Sequence, residues 1–297
     1  MTDPDRLRFA GAPALFLEQV IRDYVRDNPA NRLPLFPDER IWDEPLVGFA
    51  SGDDPLFAEY KTIIGDFHFT PREALKEAFP EAAPEAVSVI SWVLPSTRET
   101  RLSMRRETRV PSLRWNQTRW PGQEFNYALS RHVVARLTGL GYQAVAPELL
   151  PTYKMVRRPE GLSSRWSQRH AAYAAGLGTF SLSDGFITSK GMAIRLGSVV
   201  AGIALPHSPR PYKGLRDNCL YYRDGSCRRC MARCPAGAIT ESGHDKNKCC
   251  EFLFNEQRNI LKQLGREEGY QGQYLGCGLC QCKVPCEGGI PPDTRKQ

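Results

Sequence analysis

The chain has 297 residues, of which 41% are apolar and 25% charged, with a formal net charge of +7. This is the balance of an ordinary globular chain, and no apolar run reaches the roughly eighteen residues that a membrane helix requires. The moderate positive charge permits an anionic partner without requiring one. The opening MTDPDRLRFAGAPALFLEQVIRDYV lacks a basic segment leading into an apolar stretch and a small-residue cleavage site, so a secretory leader is not expected. The expectation is a soluble, cytoplasmic protein with no membrane partner.

From Pro13, PALFLEQVIRDYVRDN places Leu15, Phe16, Val20, Ile21 and Val25 at helical spacing. The run from Ala86 to Leu94, bounded by Pro84 and Pro95, reads as a buried strand. Arginines crowd the segment from Thr97, TRETRLSMRRETRVPSLRWNQTRWPGQEFN, with Trp115 and Trp120 among them. It reads as a charged surface loop, as a lid over a cofactor, or as an RNA contact built on phosphate-binding arginine and base-stacking tryptophan. A long amphipathic helix should run from Gly122 and stop at Gly139 and Gly141, feeding a short strand around QAVAPEL. A further helix is expected from Ser164 through Ala175, and Ile194 to Leu205 should return to the sheet. Helices alternating with short strands define an α/β (α+β) class in which helices cover a sheet.

Glycines at 176, 178, 185, 191 and 197 mark residues 171–200 as a stretch where backbone can approach a ligand and offer open N–H groups. Turn and helix-cap positions would explain the same glycines. The stretch is neither a dinucleotide fingerprint nor a phosphate loop.

The cysteines number ten, and all lie between Cys219 and Cys286. They divide the chain into a cysteine-free α/β part, residues 1–206, and a cysteine-rich part, residues 207–297, joined by the proline-rich PHSPRPYKG. The first group is C-LYYRDGS-C-RR-C-MAR-C-P from Cys219. The second is the pair Cys249 and Cys250, and the third is C-GL-C-Q-C-KVP-C from Cys277. The run C-x2-C-x3-C-P is close to the bacterial ferredoxin pattern, and two [4Fe–4S] clusters need eight thiolates. A disulfide framework suits a small secreted domain instead. Structural zinc is the stronger alternative, although zinc ribbons usually lack the Cys-Pro step. After the middle pair, CCEFLFNEQRNILKQLG should be helical.

The order GLGTFSLSDGFITSKGMAIRLGSVV (residues 176–200), then DNC, GSC and C-x3-C-P-x-G-A-I, resembles the epoxyqueuosine reductases. These are cobalamin-dependent iron–sulfur enzymes related to the reductive dehalogenases. The resemblance covers roughly residues 130–288 and is strongest among the cysteines. It implies a nitroreductase-like domain that binds base-off cobalamin, followed by a ferredoxin-like double-cluster domain. The family removes an epoxide oxygen from a modified nucleoside of transfer RNA. One cluster is then expected on Cys219, Cys227, Cys230 and Cys286, and the other on Cys234, Cys250, Cys277 and Cys280. Cys249 and Cys282 are left over; Cys286 is preferred to Cys282 because a C-x-C pair would crowd ligands of different clusters. Gly176, Gly178, Gly185, Gly191 and Gly197 are the expected cobalamin contacts. A reduced ferredoxin or flavodoxin is the expected electron donor.

The family's catalytic aspartate has no counterpart: Leu162 stands near its place, and no carboxylate lies between Glu160 and Asp184. This leaves the substrate open and sets transfer RNA, as a partner, against a missing acid. His170 and Tyr173, three positions apart on one helix, share a face and are the candidate proton donors, unless that face is simply packed. Glu160 is a weaker substitute. Three classes follow: a cobalamin-dependent reductase, a corrinoid-free iron–sulfur electron carrier, and a zinc-based nucleic-acid-binding module.

Overall fold

The computed structural model describes residues 3–81 and 83–292; of the two expected domains, positions 1–2, 82 and 293–297 lie outside it. Its centre is a four-stranded sheet in the order Leu46–Ser51, Ser88–Pro95, Ile194–Ala201, Ala144–Val145, every neighbouring pair antiparallel. The β-branched run at Ser88–Pro95 is buried at every position, as a strand covered on both faces must be. Successive side chains point to opposite faces, so Ile90, Trp92 and Leu94 enter one core while Val89 enters another.

The first core is closed by the amphipathic helix Pro13–Asp27, through Phe16, Leu17, Ile21 and Val25, and by Phe125, Leu129 and Val133 of the long helix Pro121–Gly139. The second is closed by the helices Leu56–Ile64, Pro71–Ala78 and Gln168–Ala174. The sheet covered by helices is therefore present, with one local correction. The helix expected from Ser164 begins only at Gln168, because Gly161–Ser164 pairs as a strand with Met155–Arg158.

Residues Pro206–Gly214 do not form a loose tether. Ser208 exchanges two hydrogen bonds with Phe49, its N–H to the Phe49 carbonyl and its hydroxyl accepting the Phe49 N–H, each at 2.9 Å. The cysteine-rich part carries only short elements: the helices Leu220–Asp224 and Arg229–Arg233, the two-residue strands Ile239–Thr240 and Gly243–His244, and a helical stretch from Lys246 to Gln263. Its last cysteine is fastened to the sheet, since the Met192 N–H donates to the Cys286 carbonyl at 2.9 Å just ahead of the strand Ile194–Ala201.

The arginine- and tryptophan-rich segment becomes two capped helices, Arg98–Arg105 and Leu113–Arg119, with Thr97 and Ser112 as their N-caps. These helices clamp the third cysteine group. Trp115 Nε1 donates to the Gly276 carbonyl at 2.8 Å, Trp120 Nε1 to the Tyr274 carbonyl at 2.9 Å, and Asn116 to the Leu275 carbonyl at 3.1 Å. Both tryptophans thus hydrogen-bond within the chain through their indole N–H groups. No helix among the described residues is long and apolar enough to cross a membrane.

Candidate metal centres and the adjoining cavity

The thiols fall into two groups. Burial pushes the Cys230 thiol up to about 12, with Cys219 and Cys227 adding to the effect. Burial also raises Cys286, and the thiols acting on it are Cys219, Cys230 and Cys227. These four border one small cavity between Leu220 and Val284. In the second group, burial raises Cys280 strongly, followed by Cys277, Cys234 and Cys249. Burial lifts Cys249 itself to about 12, again followed by Cys277 and Cys234. Cys230 also acts on Cys280, so the two groups are neighbours.

This arrangement sets Cys249, rather than the expected Cys250, beside the second group. Cys250 responds to burial and to the opposing charge of Arg157, whereas Cys249 joins Cys234, Cys277 and Cys280. The reason is helical geometry. Both residues lie on the helix Lys246–Glu251, where successive side chains diverge by about 100°, so only one can face the group. Cys282 is buried beside Glu287 and Arg233 and stays apart from both groups. Among the described residues no three His, Cys, Asp or Glu side chains converge on a single-ion site.

A larger cavity of about 390 Å3 opens between the sheet and the cysteine-rich part. Its wall includes Gln123, Glu148, Tyr153, Gln168 and Arg195, and it reaches Gln281, which stands between Cys280 and Cys282. A chain of hydrogen bonds orients the acid. Trp166 Nε1 donates to Ser198 Oγ at 2.9 Å, Ser198 donates to Gln168 Oε1 at 2.7 Å, and Gln168 Nε2 donates to Glu148 Oε2 at 3.0 Å. Burial raises the Glu148 pKa above the ordinary glutamate value, against the lowering influence of Gln168 and Arg195. Burial likewise pushes Tyr153 up to about 12.

The expected proton donors lie elsewhere. His170 packs its ring on Tyr60 and Phe180, with centroids at 4.6 and 4.8 Å, and its Nδ1 is 2.7 Å from Ser167 Oγ. Burial and Arg169 lower its pKa to about 3, so it is neutral. Tyr173 is 6% exposed in an apolar cluster with Val93, Phe186 and Leu196. Neither side chain borders the large cavity. They share an aromatic layer at Phe180, and His170 supports the cavity wall through Ser167.

All five expected glycine contacts have protein where a side chain would start, the Met192 methyl occupying that place at Gly185. A Cβ would meet the Pro209 carbonyl at Gly176, the Ile187 carbonyl at Gly178, the Glu287 carbonyl at Gly191 and the Trp92 indole at Gly197, all within 2.5 Å. Only Gly185 borders the large cavity. These glycines pack closely against other parts of the chain, and the polar cavity-lining groups that the sequence did not announce are Glu148, Gln123 and Arg195. Arg195 did leave a trace, as the one charged residue in the otherwise apolar strand IRLGSVVA.

A mixed α/β protein with a cysteine-rich part folded against its sheet is the class that this geometry defines. No family profile matches the chain. It is 29% identical over 126 residues to an epoxyqueuosine reductase of Bacillus cereus, a stretch that is 42% of this chain and 30% of that protein. To the epoxyqueuosine reductase of a Synechocystis species it is 28% identical over 166 residues, 55% of this chain and 52% of the other. The matched stretches thus span about a third to a half of these curated relatives. Among solved structures, a catabolic reductive dehalogenase, NpRdhA, in complex with 3-bromo-4-hydroxybenzoic acid aligns with a TM-score of 0.50 at 15% identity. That alignment covers 95% of this chain and 38% of the other. The chain is related to the epoxyqueuosine reductases, and its fold is similar to that of the reductive dehalogenase.

Proposed function

We infer that this protein is a reductase of the epoxyqueuosine reductase and reductive dehalogenase kind, whose cysteines would hold two [4Fe–4S] clusters and whose large cavity would hold a corrinoid. The observation that carries the reading is the position of Gln281, which lines the cavity while lying between Cys280 and Cys282. The group of Cys234, Cys249, Cys277 and Cys280 is thereby next to the cavity where a substrate could be reduced.

Two sets of four thiols fit two clusters with four thiolate ligands each, Cys219, Cys227, Cys230 and Cys286 for one and Cys234, Cys249, Cys277 and Cys280 for the other. A cavity with a polar wall of amide, carboxyl and guanidinium groups fits the amide-fringed edge of a corrinoid. The corrinoid would supply a strongly reducing cobalt centre. The chain's own residues do the rest. Glu148, oriented through Gln168, Ser198 and Trp166, holds a proton in a buried site and delivers it to the reduced substrate. Tyr153, with its pKa raised, stays protonated beside it and donates a hydrogen bond. A reduced ferredoxin or flavodoxin would deliver the electrons to the clusters. Without the family's aspartate, reduction of the transfer RNA nucleoside depends on Glu148 taking its place.

Anaerobic reconstitution tests the reading. About eight iron and eight sulfide per chain are expected, together with a change in the corrin spectrum when cobalamin is titrated in. Stoichiometric zinc without labile sulfide would replace the cluster assignment. Full clusters with no corrin response would make the protein a corrinoid-free electron carrier.

A further inference from the structure

Two side chains in the wall of the large cavity carry buried donors with no acceptor. Gln123 is 8% exposed, and its amide meets the Tyr127 hydroxyl, which leaves an N–H of Nε2 free for a further acceptor. Nε of Arg195 is buried without a partner. Both border the same space as Glu148. Buried donors are normally satisfied, so two in one wall call for an acceptor that the chain does not provide.

Charge points the same way. Burial lowers the pKa of Arg195 to about 10, and the Arg119 guanidinium acts in the same direction. The carboxyl that opposes them is Glu148, which burial itself moves toward the neutral form. The cavity therefore holds a cation with an incomplete counter-charge, an unfavourable state that a bound anion would relieve.

Building on the reductase reading of this cavity, we propose that Arg195 and Gln123 form a recognition subsite for an oxyanion, a carboxylate or phosphate carried by the molecule that binds beside Glu148. A guanidinium presents paired N–H donors to such a group, and the Gln123 amide adds another. The anion has two possible sources: an acid group on a small substrate, or the phosphate in the nucleotide tail of a corrinoid.

Calorimetry on the full-length, cluster-loaded protein separates them, using benzoate, inorganic phosphate, cobalamin and the phosphate-free dicyanocobinamide. If the substrate supplies the anion, benzoate or phosphate binds one per chain, and Arg195→Gln and Gln123→Leu each weaken it about tenfold or more. If the cofactor supplies it, Arg195→Gln weakens cobalamin and spares dicyanocobinamide. Arg195→Lys, which keeps the charge and loses the planar fork, should fall between wild type and Arg195→Gln. With no anion present, Arg195→Gln should melt no lower than wild type, which separates lost recognition from lost folding. Binding that is equal in wild type and Arg195→Gln, or absent for all four probes, overturns the subsite. Arg195-dependent binding of benzoate without any cobalamin binding would keep the subsite and remove the corrinoid.

Discussion

At Glu148, Oε2 is committed to the amide of Gln168 at 3.0 Å, leaving Oε1 as the oxygen that can carry a proton. A carboxyl fixed at one oxygen and raised in pKa by burial has the properties of a general acid. Glu148→Gln keeps the shape and removes the proton. It should lower kcat by about 10²–10⁴-fold with little change in KM, read in single-turnover reduction of any accepted substrate. The same reasoning at the thiols separates two adjacent residues. Cys249→Ala should halve the iron content, whereas Cys250→Ala and Cys282→Ala should retain both clusters. Equal loss in Cys249→Ala and Cys250→Ala would mean that the helix Lys246–Glu251 can present either thiol. The cysteine spacing made two groups of ligands readable in the sequence. It could not choose between neighbours on a helix, because that choice depends on the helix's rotation against residues far away in the chain.

Among the elements, the helix Gln168–Ala174 and the turn before it form the cavity wall, and two histidines brace them. His68 Nε2 accepts the Ser167 N–H at 3.0 Å, which places its proton on Nδ1, a buried nitrogen without a partner. His68 stacks on Trp166 with centroids at 5.9 Å, and burial lowers its pKa to about 4. His170 is lowered to about 3 by the same cause. Both folded-state values lie below the unfolded histidine value of about 6.5, so neutrality stabilises the fold above that pH. This stability should be lost as pH falls from about 6.5 toward 4, by on the order of 3 kcal/mol for His68 alone. Thermal melts across that range should show the fall, and His68→Gln should flatten it; an identical slope in the variant would place the acid sensitivity elsewhere. The apolar periodicities of Pro13–Asp27, Ser88–Pro95 and Pro121–Gly139 made these elements legible, since each buries one stripe or both faces. His170 and Tyr173 were read correctly as neighbours on one face, but that face packs against Phe180. A helix's periodicity does not reveal whether its polar tips meet a cavity or an aromatic layer.

Across the whole molecule, the cysteine-rich part is bound to the sheet through a buried carboxylate. Glu287 is 3% exposed; Arg105 Nε lies 2.9 Å from it and Arg101 Nε 3.6 Å, and the Lys283 N–H donates to it at 2.5 Å. Both arginines belong to the helix Arg98–Arg105, and Glu287 directly follows Cys286. Arg233 ties the parts together again, donating to the carbonyls of Glu107 at 2.8 Å and Cys282 at 3.1 Å. Glu287 itself is buried, but Arg105 is half exposed and can be solvated once its partner is gone. Glu287→Ala should therefore lower stability by about 1–3 kcal/mol, the worth of a charged hydrogen bond. Part of that loss should fade as salt screens the exposed guanidinium. The same ties imply cooperative unfolding. In anaerobic urea titrations of the cluster-loaded protein, loss of the cluster absorbance and loss of the sheet's far-ultraviolet signal should share one midpoint in wild type and separate in Glu287→Ala. Two midpoints already present in wild type would show that the cysteine-rich part unfolds independently and that the Glu287 clamp does not couple it to the sheet.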